Sequence, residues 1–99
     1  MPFSVLYSVR GAKDEIPQVI LEVQRMGIEA LQSQPGFRHA RLMVAEDQTE
    51  ALFVTDWDSR EDFLTYRHTE QGQRIVEAAM HLHPHLSFYD HVAFYEAKD

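Results

Sequence analysis

The period of the hydrophobic pattern changes repeatedly along the chain, and each change marks a new element. Phe3 to Arg10 is rich in β-branched and aromatic residues and reads as a strand that Gly11 ends. Asp14 offers an N-cap, and Pro17 falls in a first helical turn, where its missing N–H does no harm. Ile16, Val19, Ile20, Val23, Met26, Ala30 and Leu31 recur at steps of three and four. That is one stripe of an amphipathic helix, weakened by Gly27 and stopped by Gln34-Pro35-Gly36. Phe37–Ala45 and Ala51–Trp57 are short β-like runs joined by the polar loop Glu46–Glu50. Asp58 and Ser59 are caps for a second helical region, with Glu61 and Asp62 three residues on from each. Phe63, Tyr66 and Arg67 share a face in its first half; Ile75, Val76, Ala79 and Met80 supply the second, with a bend expected at Gly72. Pro84 interrupts the helix within His81–His85, and Leu86–Tyr95 reads as a last strand.

The order β-α-β-β-α-β predicts an α+β chain of the ferredoxin-like, split-βαβ kind, one domain over residues 1–99. Four antiparallel strands would carry two helices on one face. The other face should then be polar, yet Leu6, Leu52 and Val54 oppose the apolar residues beside them. The last strand likewise sets Leu86, Phe88, Val92 and Phe94 against Tyr89, Ala93 and Tyr95. Two helices cannot cover both faces, so a homodimer is expected to cover the second.

Charge and composition exclude several classes. Nine Lys and Arg against sixteen Asp and Glu give a net charge of −7, with no basic cluster for a phosphate backbone, so nucleic acid is not an expected partner. The absence of cysteine removes disulfides, thiolate metal sites and Cys nucleophiles, and fits a cytoplasmic protein. No apolar run approaches the roughly 20 residues of a membrane span. Met1–Arg10 lacks a basic start followed by a long apolar run, so no signal peptide is expected.

Gln34-Pro-Gly-Phe37 leading into a strand and Thr55-Asp-Trp-Asp-Ser-Arg-Glu-Asp-Phe63 resemble the antibiotic biosynthesis monooxygenase family of dimeric α/β barrels. Tyr66-Arg-His-Thr69 and the aromatic final strand agree, and the resemblance covers nearly the whole chain. It implies oxidation of quinols, anthrones or similar aromatics by O₂ without a cofactor, haem degradation, or a binding role. The haem-degrading members use an Asn on the first strand, a Trp, and an axial His on the second helix. This chain has no Asn; Tyr7 or Ser8 stands near that position, and His81 is the nearest axial candidate, should haem bind. The anthrone-oxidising members also place an Asn where Phe53 stands here.

Within that resemblance, Phe53, Trp57, Phe63 and Phe88 are expected to wall a flat aromatic substrate, although Trp57 equally suits an ordinary core. Tyr66 faces inward with Phe63 and can donate to a substrate oxygen, while His68, about 200° away on the helix, faces water. His83, His85 and His91 are candidates for the base that takes the substrate proton. The His-x-His spacing of His81, His83 and His85 also suits a metal, but Pro84 breaks its regularity and no metal is expected. Arg41 and Arg67 can bind a carboxylate or phenolate, or pair with surface acids. Asp56, Asp58, Glu61 and Asp62 read as helix-start charges.

Overall fold

A computed structural model describes residues 2–25 and 28–98. Met26 and Gly27, counted above with the first helix, lie outside the described residues. The elements follow as β1 (Phe3–Arg10), α1 (Ile16–Arg25), α2 (Ile28–Gln32), β2 (Phe37–Val44), β3 (Glu50–Trp57), α3 (Arg60–Arg67), α4 (Glu70–Glu77), a 3₁₀ turn (Met80–Leu82) and β4 (His85–Asp90). The strands form one antiparallel sheet in the order β2-β3-β1-β4, the ferredoxin-like arrangement.

Alternation decides which face each side chain takes. Phe3, Val5, Tyr7 and Val9 of β1 and Ala51, Phe53, Thr55 and Trp57 of β3 are all buried beneath the helices. Ile16, Val19, Val23, Leu31, Phe63, Tyr66 and Ile75 close the core from the helix side. Trp57 is fully buried at its centre, 5.4–5.8 Å from the rings of Phe37, Phe63 and Tyr66.

The start of α1 is held by Glu15, whose carboxylate accepts the Ala12 N–H at 2.8 Å, and not by the Asp14 side chain. Gly36 turns into β2 at φ +79°, and a Cβ there would strike the Asp62 carboxylate at 2.2 Å. The Gly36 carbonyl also accepts the Asp58 N–H at 2.8 Å, tying the Pro-Gly turn to the start of α3, where Ser59 accepts the Asp62 N–H.

Two expectations are corrected. The helical region breaks at His68–Thr69 rather than at Gly72, because Thr69 caps a new helix by accepting the Gly72 N–H at 3.1 Å. Gly72 lies inside α4 as the residue that touches α3. The last strand ends at Asp90, not Tyr95, for want of a partner. Asp90 pairs with Phe3, where β1 begins, and the last bond among the described residues runs from the His91 N–H to the Pro2 carbonyl. Val92, Phe94 and Tyr95 are therefore 98%, 78% and 89% exposed. Among the described residues no helix is long and apolar enough to cross a membrane.

Candidate functional site

The gap between the sheet and α3–α4 holds an apolar cavity. Val5, Tyr7, Phe53 and Thr55 form its floor; Phe63, Tyr66 and Arg67 of α3 and Gly72, Ile75 and Val76 of α4 form its roof. Its free space is about 30 Å³, room for about two water molecules. Each polar group but two is already engaged. The Tyr7 hydroxyl donates to the Val76 carbonyl at 2.9 Å, and the Thr55 hydroxyl accepts the Trp57 indole N–H at 3.0 Å.

The exceptions are Tyr66 and Arg67. Tyr66 is 94% buried, and its hydroxyl has no hydrogen-bond partner among the described residues. Burial pushes its pKa up to about 12, so at neutral pH the phenol is a donor and not a base. The half-buried Arg67 makes no ion pair or side-chain hydrogen bond among the described residues. No histidine or carboxylate occurs among the described residues lining the cavity.

The predicted wall is thus partly assembled. Phe53, Phe63 and Tyr66 meet at the cavity. Trp57 lies behind it, its ring packed at a tilt of 32° against that of Tyr66. Phe88 is 44% exposed and packs on Phe3 and Phe63 at the sheet edge, outside the cavity.

The histidines go elsewhere. His81, His83 and His85 are exposed, and the left-handed backbone at His83 (φ 55°) interrupts the alternation that would have aimed them one way. Among the described residues no group of three His, Asp or Glu is arranged to hold a metal. His81 borders a groove with Glu15, Gln18 and Glu22 rather than the cavity. Those carboxylates and that exposure do not fit an apolar porphyrin with acidic side chains.

His91 lies on the helix-free face, in a polar row that sequence reasoning missed. His91 Nε2 is 2.6 Å from the Ser4 hydroxyl, which donates to Asp56 Oδ1, while Asp56 Oδ2 is 2.9 Å from His39 Nδ1. Burial of Asp56 opposes ionisation, but the hydrogen bonds from Ser4 and His39 and the charge of Arg41 outweigh it and hold the carboxyl below its usual range. The row borders a groove of about 730 Å³ beneath residues 91–96. Strand register was the signal that would have found it: Asp56 pairs with both Ser4 and His39 across the sheet.

A sequence model of the family described as antibiotic biosynthesis monooxygenase matches residues 2–78. No functionally curated protein matches the chain. Among solved structures, a Mycobacterium tuberculosis protein superposes with a TM-score of 0.83 at 14% identity, over 97% of this chain and 100% of that one. A crystal structure described as an antibiotic biosynthesis monooxygenase gives 0.75 at 18% identity, over 92% and 99%. A Shewanella oneidensis protein gives 0.75 at 15% identity, over 89% and 88%. At such identities the structural likeness establishes the fold alone.

Proposed function

The chain belongs to the antibiotic biosynthesis monooxygenase family, and from that premise we propose that it oxidises a small, electron-rich aromatic, quinol-like or polyketide-like, with O₂ and no cofactor. The observation that carries this reading is the Tyr66 hydroxyl, a buried donor without an acceptor in an apolar cavity. Such a group costs about 1–3 kcal/mol when left unpaired, and a substrate oxygen would satisfy it. Phe53 and Phe63 would flank the ring, with Trp57 holding Tyr66 in place from behind.

In the reaction, the ionised substrate gives one electron to O₂. The two radicals combine through a new C–O bond to a peroxide anion, which takes up a proton from water; the resulting hydroperoxide loses water, giving up the hydrogen on the same carbon, and leaves a carbonyl. One oxygen atom enters the product and the other leaves as water. The Tyr66 O–H donates to the substrate oxygen as its charge changes, and the apolar walls keep bulk water from the radical pair.

A ring cannot enter a space of about 30 Å³ without displacing a wall. Next to the cavity lies a groove of about 200 Å³, bordered like the cavity by Arg67 and Val76. Benzene occupies engineered cavities of about 150 Å³, so moving these two side chains would open enough room. The second face of the sheet would be covered by another copy of the chain.

Oxygen uptake with a panel of quinols and anthrones, product identified by mass, tests the proposal. Uptake at stoichiometry with a carbonyl product, surviving chelator, supports it. That neither histidine nor carboxylate is found among the described residues lining the cavity favours a second reading, a binding module without chemistry. Ligand-induced thermal stabilisation with no oxygen consumed would select it.

A further inference from the structure

We propose that the sheet end of this cavity is a pocket for O₂, held apart from the aromatic and filled through the apolar layer between sheet and helices. The inference rests on the oxidation reading above and gives the second substrate a place of its own. Size is the first observation. The free space of about 30 Å³ takes about two water-sized bodies. Two such bodies side by side are the outline of a diatomic molecule, whereas a ring has to draw on the outer groove past Arg67 and Val76. Val5, Tyr7, Phe53, Thr55 and Leu86 border the cavity and not that groove, so the sheet floor is left to the smaller molecule.

Polarity is the second. A buried water keeps about two to four polar partners. Here the Tyr7 and Thr55 hydroxyls already bond to the protein, and the Tyr66 O–H is the hydroxyl left over. That is too little to hold a pair of waters, and an apolar gas gains by leaving water for such a space. The third is a smaller void of about 10 Å³ on the other side of Tyr7 and Phe53, which wall both spaces. Its other walls are aliphatic: Val9, Val19, Ile20, Val23, Leu42 and Ala51. Ile20 and Leu42 are only half-buried and bring this void to the surface, a route that a small gas can follow and a ring or an ion cannot. Held in the cavity, O₂ lies beside the Tyr66 hydroxyl. Neutral O₂ is a poor acceptor, but the superoxide formed when the ionised substrate gives up its electron is charged and accepts strongly. Burial raises the Tyr66 pKa to about 12, so the hydroxyl keeps its proton and meets superoxide as a donor. The pocket thereby favours the product of electron transfer over its reactant.

Crystals of the full chain held under xenon, an apolar gas that enters dry protein cavities, test the pocket. Xenon density should appear between the sheet floor and Tyr66, and should vanish in Val5→Ile, whose added methyl takes up the space. With a quinol that wild type oxidises, Val5→Ile should raise KM for O₂ severalfold, by more than any change in KM for the quinol. Ile75→Ala trims the roof instead, and should strengthen the xenon density and lower KM for O₂. Ordered water in place of xenon in wild type overturns the pocket and leaves the aromatic reading standing. So does a KM for O₂ that neither folded variant moves. If no quinol or anthrone is oxidised at all, the reading beneath the pocket falls and O₂ loses its place with it, whatever xenon shows.

Discussion

Tyr66 buries a hydroxyl with no partner among the described residues, so the proposed contact to a substrate and the cost to stability oppose each other. Tyr66→Phe removes the unpaired donor and keeps the ring against Trp57. Melting temperature should hold or rise, while kcat/KM on an accepted substrate falls about ten- to a hundredfold, roughly 1.4–2.7 kcal/mol. A lower melting temperature with full turnover would make the hydroxyl structural. Asp56 predicts the opposite balance. Its folded pKa is depressed, so its contribution is present above the ordinary carboxylate pKa of 3.8 and is lost as pH falls below it. Urea midpoints measured down the acid limb should drop less steeply in Asp56→Asn than in wild type; parallel curves would count against the Ser4–Asp56–His39 row. Tyr66 was legible in the sequence because the spacing to Phe63 is local. Ser4, His39 and Asp56 were not, because only strand register joins positions so far apart.

The elements themselves were largely legible, since each strand and helix carries its own period, and the misreadings arose where two elements meet. Glycine within a helical pattern suggests a break, yet Gly72 is required by contact: a Cβ there would lie 2.3 Å from the Tyr66 carbonyl oxygen. The backbone of α3 cannot yield as a side-chain tip can, so Gly72→Ala must push α4 away from α3. Overpacking of this kind costs typically about 1–3 kcal/mol, and the same displacement would disturb both Tyr66 and the cavity wall. Denaturant unfolding of Gly72→Ala should show that loss together with weakened ligand binding. Gln71→Ala, exposed on the neighbouring position of α4, should change stability by no more than about 0.5 kcal/mol. Equal stability of the two variants would mean that α4 slides freely, and the tight junction would then not shape the site. The end of β4 belongs to the same class of misreading: Val92, Phe94 and Tyr95 have strand chemistry, but β1 is too short to pair with them.

At the scale of the molecule, one face of the sheet has its helices and the other does not. On that open face Met43 is 41% and Tyr89 52% exposed, and the apolar side chains of residues 92–95 add to them. Apolar surface gathered on one face is better covered than wetted, at about 25 cal/mol for each Å² removed from water. The groove of about 730 Å³ between that face and the segment after β4 is lined by both apolar and charged groups, so a covering surface must match a mixed one. A second copy related by a twofold axis would present the same mixed surface in return, and that is the expected cover. Light scattering should therefore give about twice the chain mass of 11.5 kDa at micromolar concentration. Met43 discriminates between assembly and folding, because it is already half-exposed in the single chain. Met43→Lys should leave the monomer's stability within about 0.5 kcal/mol, yet place a charge against apolar surface in the dimer, where desolvation of an unpaired ion costs several kcal/mol. The variant should run as a folded species of single-chain mass, with the circular dichroism of wild type. A wild-type mass of one chain, or a Met43→Lys dimer as tight as wild type, would place the covering partner elsewhere. In either case the inner cavity would be unaffected, since it lies on the opposite side of the sheet, and ligand binding measured on the monomeric variant would show whether one chain suffices for the site.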